Sequence, residues 1–154
     1  MGMPLTFDKF DKTKTDKFEL IKTRYYQLFV FREVMHPSVN ALGSKLQLCS
    51  EKPLTGWFRD GCCNTDSNDR GLHVVCCIVT DEFLEFAKTS GNDLITPAPQ
   101  YNFPGLKSGD RWCVCARTWF DAANEGVACP ISLEATHEEV LQIIPLELLE
   151  SYAE

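Results

Sequence analysis

His73-Val74-Val75-Cys76-Cys77-Ile78-Val79-Thr80-Asp81-Glu82-Phe83-Leu84-Glu85-Phe86-Ala87-Lys88-Thr89-Ser90-Gly91 is the stretch that decides the fold. After His73 it runs as six apolar residues rich in β-branched side chains, the pattern of a buried strand. Thr80 then offers a hydroxyl to cap a helix over residues 81–90. Asp81 and Glu82 complement the dipole of its first turn, and Gly91 is placed to stop it.

The same rhythm recurs further along the chain. Trp112 to Cys115 reads as a strand, followed by a helix from about Arg117 to Asn124 that ends near Gly126. Residues 131–135 read as a third strand. Thr136 and Glu139 then have the spacing of a capping box for a helix through Ile143, and Pro145 opens a short final turn to Tyr152. Phe83, Phe86, Trp119 and Phe120 fall at helical spacing and are assigned to the core.

Toward the N-terminus, Leu42, Leu46 and Leu48 alternate as in a short strand, and residues 51–70 are rich enough in Gly, Asp, Asn and Pro to be mostly loop. The connection over residues 92–110 carries Pro97, Pro99 and Pro104. It is long for a compact domain, and such loops commonly cover or serve a site. These patterns predict a small two-layer α+β domain over residues 37–154, with helices packed on a short-stranded sheet in three strand–helix units.

Residues 1–36 read as an appendage. Polar Lys, Asp and Thr repeats lead into Phe18, Leu20, Ile21, Tyr25, Leu28, Phe29 and Val30, a set compatible with a helix from about Lys17 to Met35 that Pro37 closes. An aromatic side of this kind needs a partner, so Phe18, Tyr25 and Phe29 are candidate partner-binding residues through which the arm docks onto a protein assembly.

The chain has 154 residues and a hydrophobic fraction of 44%, enough for one domain with its own core. Its formal charge of −7 is uneven: seven Lys/Arg face five Asp/Glu in residues 1–35, and eight face seventeen thereafter. An acidic body repels a phosphate backbone, so a nucleic-acid partner is not expected. No apolar run reaches the roughly 20 residues needed to span a bilayer. Gly2 with Thr6 fits the loose myristoylation pattern, but a match so short recurs by chance, and lipid anchoring is disfavoured. The alternating Lys and Asp at the start lack the apolar stretch of a signal peptide, which points to an intracellular, reducing compartment and to free or metal-bound thiols.

Eight cysteines, six of them in the clusters Cys62-Cys63, Cys76-Cys77 and Cys113-x-Cys115, admit disulfides, a metal or thiolate chemistry. Cys113 and Cys115, two apart on a strand, share a face at about 7 Å. Together with Cys62, Cys63 and His73, and with Cys49 in reserve, they form a candidate tetrahedral zinc set. Buried inert thiols are the competing reading, and Cys76 and Cys77 suit it. A nucleophilic Cys62 or Cys63 with His73 or His137 as base is a third. Arg59, Asp60, Asn92, Asp93 and His137 sit at element ends and are candidate ligand-binding residues, with Trp112 and Trp57 as walls of the same pocket. Structural roles compete for each of them, such as an Arg59–carboxylate pair or turn caps at the aspartates.

Residues 40–150 resemble a bacterial family known as domain of unknown function 2237. The resemblance rests on Asn40-Ala41-Leu42-Gly43, on Thr55-Gly56-Trp57-Phe58-Arg59-Asp60-Gly61-Cys62-Cys63 and on Gly71-Leu72-His73-Val74-Val75-Cys76. It continues through Thr80 to Phe86, Gly91-Asn92-Asp93-Leu94, Phe103-Pro104-Gly105-Leu106, Gly109 to Cys115 and Ala135-Thr136-His137. It implies a small α+β fold and a residue pattern, and no activity. Cys77, Cys129 and the N-terminal arm fall outside the shared pattern. The expected function is a non-catalytic binding or accessory subunit. The alternative is a cysteine-dependent or zinc-binding enzyme, or a redox-responsive protein, centred on Cys62/Cys63 and Cys113/Cys115.

Overall fold

A computed structural model describes residues 38–154, so the helix expected over residues 17–35, the acceptor Gly2 and the aromatics Phe18, Tyr25 and Phe29 lie outside the described residues. The architecture is α+β. Strand β1 (Val75–Ile78) leads through Thr80 into helix α1 (Asp81–Thr89), and β2 (Arg111–Val114) leads into α2 (Ala116–Asn124). A short α3 (Leu146–Glu150) follows Pro145. The Thr80 hydroxyl accepts from the Phe83 amide at 3.2 Å, as its capping position requires, and Gly91 leaves α1 with φ of +90°.

β1 and β2 pair antiparallel in the register Val75↔Val114, Cys76↔Cys113, Cys77↔Trp112 and Ile78↔Arg111. Because side chains alternate across a strand, the two faces carry different cores. Val75, Cys77, Trp112 and Val114 join Phe83, Ala87, Trp119 and Ala122 in the main helix-covered core. Cys76 and Cys113 turn to the opposite face and pack with Cys49, Cys63 and Ala135. Phe83 and Trp119 are fully buried, and Phe86 and Phe120 pack half-buried against the same core. The Trp119 indole satisfies its N–H on the Cys129 carbonyl at 3.0 Å, so a polar edge enters the interior without an unpaired donor.

Three expected elements take other forms. The third strand is reduced to Ile131, which bridges Cys77 on one side and Ala153 on the other before a 3-10 turn at Leu133–Ala135. Pro130 beside Ile131 has no amide to lend a longer ladder. The Leu42–Leu48 stretch forms no strand: only its Lys45 is bridged, to Val39, and the neighbouring Asn40 bridges His137. Thr136 does not cap a helix. Its hydroxyl donates to the Ser132 carbonyl at 2.8 Å and accepts from the Cys76 amide at 3.0 Å, while His137 Nδ1 accepts from Glu139 and caps a 3-10 helix at Glu138–Gln142. No helix among the described residues is long and apolar enough to cross a membrane.

Candidate functional site

Four of the eight cysteines are joined: Cys49 to Cys76 and Cys63 to Cys113, with Cα separations of 5.7 and 5.3 Å. The expectation of thiols that are all free or metal-bound is corrected for these four. Cys62, Cys77, Cys115 and Cys129 are free. The register sets two of the four bridged cysteines side by side. Cys76 and Cys113 are direct cross-strand partners, yet their amides point away from each other, to the hydroxyls of Thr136 (3.0 Å) and Thr55 (2.8 Å). That is the non-hydrogen-bonded kind of pair, in which side chains approach most closely. Cys76, which the sequence assigned to inert burial, is therefore one of the two anchors.

The bridges staple the loop from Cys49 to Cys63 at both ends. Within it the amides of Cys49 and Ser50 donate to the Gly61 carbonyl at 2.9 and 3.1 Å, and the Gly61 amide donates to Thr55 at 3.0 Å. Gly56, at φ of +100°, has no room for a Cβ, which would collide with the Cys62 carbonyl oxygen. This folding presents Trp57 and Arg59 toward β2.

An open cavity of about 540 Å³ lies there. Its walls come from the stapled loop (Gly56, Trp57, Arg59), from His73, from the proline-bearing connection (Asn92, Asp93, Leu94, Ala98, Tyr101, Phe103) and from residues 112–115. The Arg59 guanidinium lies over the Trp112 ring at 5.1 Å and donates to the Gly56 carbonyl at 2.8 Å. It forms no ion pair with a carboxylate among the described residues, contrary to the structural role considered for it. The His73 ring stacks on Trp57 with 5.9 Å between centroids. Its Nδ1 meets Asp69 Oδ1 at 2.7 Å, and the buried Asp69 carboxylate also accepts from the His73 amide and from Thr65. Cys115, at the start of α2, donates its thiol to the Gly71 carbonyl at 2.8 Å.

Three non-glycine residues in or next to the lining occupy the left-handed region, Arg59 at φ of +54°, Leu72 at +47° and Asn102 at +51°. Such conformations cost about 1–3 kcal/mol each and concentrate where function holds them in place.

Of the candidate residues, Arg59, Asn92, Asp93, Trp112, His73, Cys113 and Cys115 meet in this cavity. Among the described residues, Asp60, Cys62, Cys63 and His137 do not line it. Asp60 caps its own loop, accepting from the Cys62 amide at 3.0 Å and from Asn64 at 2.8 Å. His137 is buried at its 3-10 cap, where desolvation lowers its pKa. Burial, with the nearby Asp60 charge, raises the Cys62 thiol, which opposes a Cys62 nucleophile. Asp93 organises the turn at Ile95 and Thr96, and the Thr96 hydroxyl foremost, then the two amides, bring its pKa to about 2. The zinc set read from sequence is not assembled: Cys62 and His73 stand apart from the sulfur cluster of Cys49, Cys63 and Cys76. Cys49 and Cys76 were missed as partners because a bridge across 27 positions depends on how the loop packs against β1 and not on local spacing. Asp69 and Tyr101 were also missed, since neither lies in a motif.

Fold and site together define a small α+β domain that carries a cysteine-stapled loop beside an aromatic cavity. Residues 39–153 match the family described as an uncharacterised protein conserved in bacteria, domain of unknown function 2237, and the chain belongs to that family. No match was found among curated proteins.

Proposed function

We propose that this chain is a non-catalytic binding or accessory domain of two parts: a body over residues 37–154 whose cavity takes a planar, anionic small molecule, and an arm, residues 1–36, that docks the body onto a protein assembly. One observation carries the cavity half: Arg59, held in a left-handed conformation, presents a guanidinium without a carboxylate partner among the described residues beside Trp57, Tyr101 and Trp112. Aromatic faces bind a flat apolar body, and a guanidinium binds its carboxylate or sulfonate. The acidic charge of the chain disfavours nucleic acid as that anion. An intracellular, reducing compartment is kept in this reading, and in it the four bridged cysteines would be held as thiols.

The probe of choice is 8-anilinonaphthalene-1-sulfonate, followed by tryptophan quenching. Saturable binding that Arg59→Ala and Tyr101→Ala each weaken supports the cavity. Binding indifferent to both refutes it. For the arm, removal of residues 1–36 should preserve the probe site and abolish partner retention, and a soluble truncation that keeps every partner sinks the docking half.

A second reading, a cysteine-dependent enzyme, is favoured by the presence of Cys115 and of His73, whose Nδ1 meets Asp69, in the lining of one cavity. Alkylation by iodoacetamide across pH separates the two. A Cys115 that reacts with an ordinary thiol pKa removes the nucleophile.

A further inference from the structure

The stapled loop stands on a single rung of the sheet. Its two ends, Cys49 and Cys63, reach Cys76 and Cys113, which face each other across β1 and β2. The Sγ atoms of Cys49, Cys63 and Cys76 all lie within 4.8 Å of one another, and Cys113 is bonded to Cys63. We propose that these four cysteines, once reduced, form a tetrathiolate site for one zinc ion, and that the two disulfides are the oxidised form of the same site. This goes beyond the cavity reading and stands independently of it.

The donor set has the chemistry of that ion. All four side chains are sulfur and at most 5% exposed, and they pack with one alanine in place of any carboxylate or imidazole. Soft thiolates of this kind select zinc over magnesium or calcium. A tetrahedral ion with Zn–S near 2.3 Å needs its sulfurs roughly 3.8 Å apart. Among Cys49, Cys63 and Cys76 the separations are already bounded at 4.8 Å, so once the bridges are reduced each bonded pair has to open by roughly 1.5–2 Å, and Cys113, outside that trio but bonded to Cys63, has to close on the other two. Two of the donors are fixed in advance, because the Cys76 and Cys113 backbones are tied to buried Thr136 and Thr55. One ion would hold the same three segments that the two bridges hold, so the loop keeps its footing in either state.

The interconversion balances with a peroxide as oxidant. The zinc tetrathiolate, two hydrogen peroxide molecules and four protons give two disulfides, a free zinc ion and four waters. Four electrons leave the sulfurs as two S–S bonds form and two O–O bonds break. In the reverse direction two dithiol molecules reduce the bridges, becoming disulfides themselves, and four protons are released as the ion binds.

The test uses the full chain, reduced anaerobically with a phosphine and titrated with cobalt(II). We expect one cobalt per chain, with the charge-transfer and visible bands of a tetrahedral tetrathiolate, displaced by one zinc. Cys49→Ser, Cys63→Ser, Cys76→Ser and Cys113→Ser should each weaken retention at least about tenfold, while Cys62→Ser, Cys77→Ser, Cys115→Ser and Cys129→Ser retain it. Absence of the bands in the reduced wild-type chain, folded or not, overturns the proposal. So does dependence of the bands on Cys62 or Cys115. A measurement free of mutation accompanies these. Peroxide added to the zinc-loaded protein should release the ion and leave a chain four hydrogens lighter, bridged Cys49–Cys76 and Cys63–Cys113. Zinc that stays bound, or bridges that engage Cys62, overturn it equally.

Discussion

The Arg59 guanidinium lies 5.1 Å from the centroid of the Trp112 ring, which joins the stapled loop to β2 at the cavity wall. Arg59 holds this position at φ of +54°, a backbone state that glycine adopts freely and arginine does not. Arg59→Gly relieves that strain and gives up some chain rigidity, so stability should stay within about 1 kcal/mol of the parent. Probe binding should fall about tenfold or more with the loss of the cation. Thermal melts and a fluorescence titration check the two halves, and a variant that binds as well as the parent contradicts the role given to Arg59.

Gly56→Ala should have the opposite balance. The added methyl meets the Cys62 carbonyl oxygen at a φ of +100°, so both the space and the backbone oppose it. A loss of about 2–4 kcal/mol is expected, with the loop that carries Trp57 displaced. Urea unfolding measures it, and a change below about 0.5 kcal/mol would show that the loop relaxes freely.

The bridge between Cys63 and Cys113 closes a separation of 50 residues. Its removal in Cys63→Ala/Cys113→Ala, with a chelator present so that no metal compensates, should cost about 3–4 kcal/mol on chain-entropy grounds. Cys62→Ala, one position away and unbridged, should change stability by less than about 1 kcal/mol. Equal effects from the two would mean that the bridge contributes nothing to the folded state.

His137 supplies a pH-dependent term. Desolvation lowers its folded pKa below the ordinary 6.5, with Glu138 and Glu139 opposing in part, and its Nδ1 must stay unprotonated to accept from the Glu139 amide. The unfolded chain therefore takes up a proton first as pH falls. The stabilisation is complete above about 6.5 and is lost as pH drops through the folded pKa. His137→Asn keeps a capping acceptor without the titration, so its melting temperature should decline less than that of the parent between pH 7.5 and 5.5. Parallel declines would assign the acid sensitivity to other groups.

The sequence made legible what is encoded locally. Thr80, the two acids after it and Gly91 mark α1 because a cap, a dipole and a positive φ are properties of neighbouring residues. The third strand was misread because residues 131–135 look extended, whereas only Ile131 finds partners, Cys77 and Ala153, that lie far away in the chain. Thr136 shows the same limit: the spacing to Glu139 suits a capping box, but the hydroxyl is used by the Cys76 amide 60 residues back. Of the positions read at element ends, Asn92 and Asp93 beyond α1 and Arg59 in the stapled loop line the cavity, and Trp112, read as a wall, lines it from within β2. His137 failed by that rule because its backbone pairs with Asn40 on another side of the domain.

With both feet of the Cys49–Cys63 segment set on one rung, its closure is guaranteed by the sheet and not by what the segment contains. Substitutions of the Trp57 and Arg59 side chains, with Gly56 kept, then alter what the cavity recognises while the body beneath keeps its shape. The segment resembles a replaceable bit in a fixed handle, and selection for a new ligand could work on it with little risk to folding.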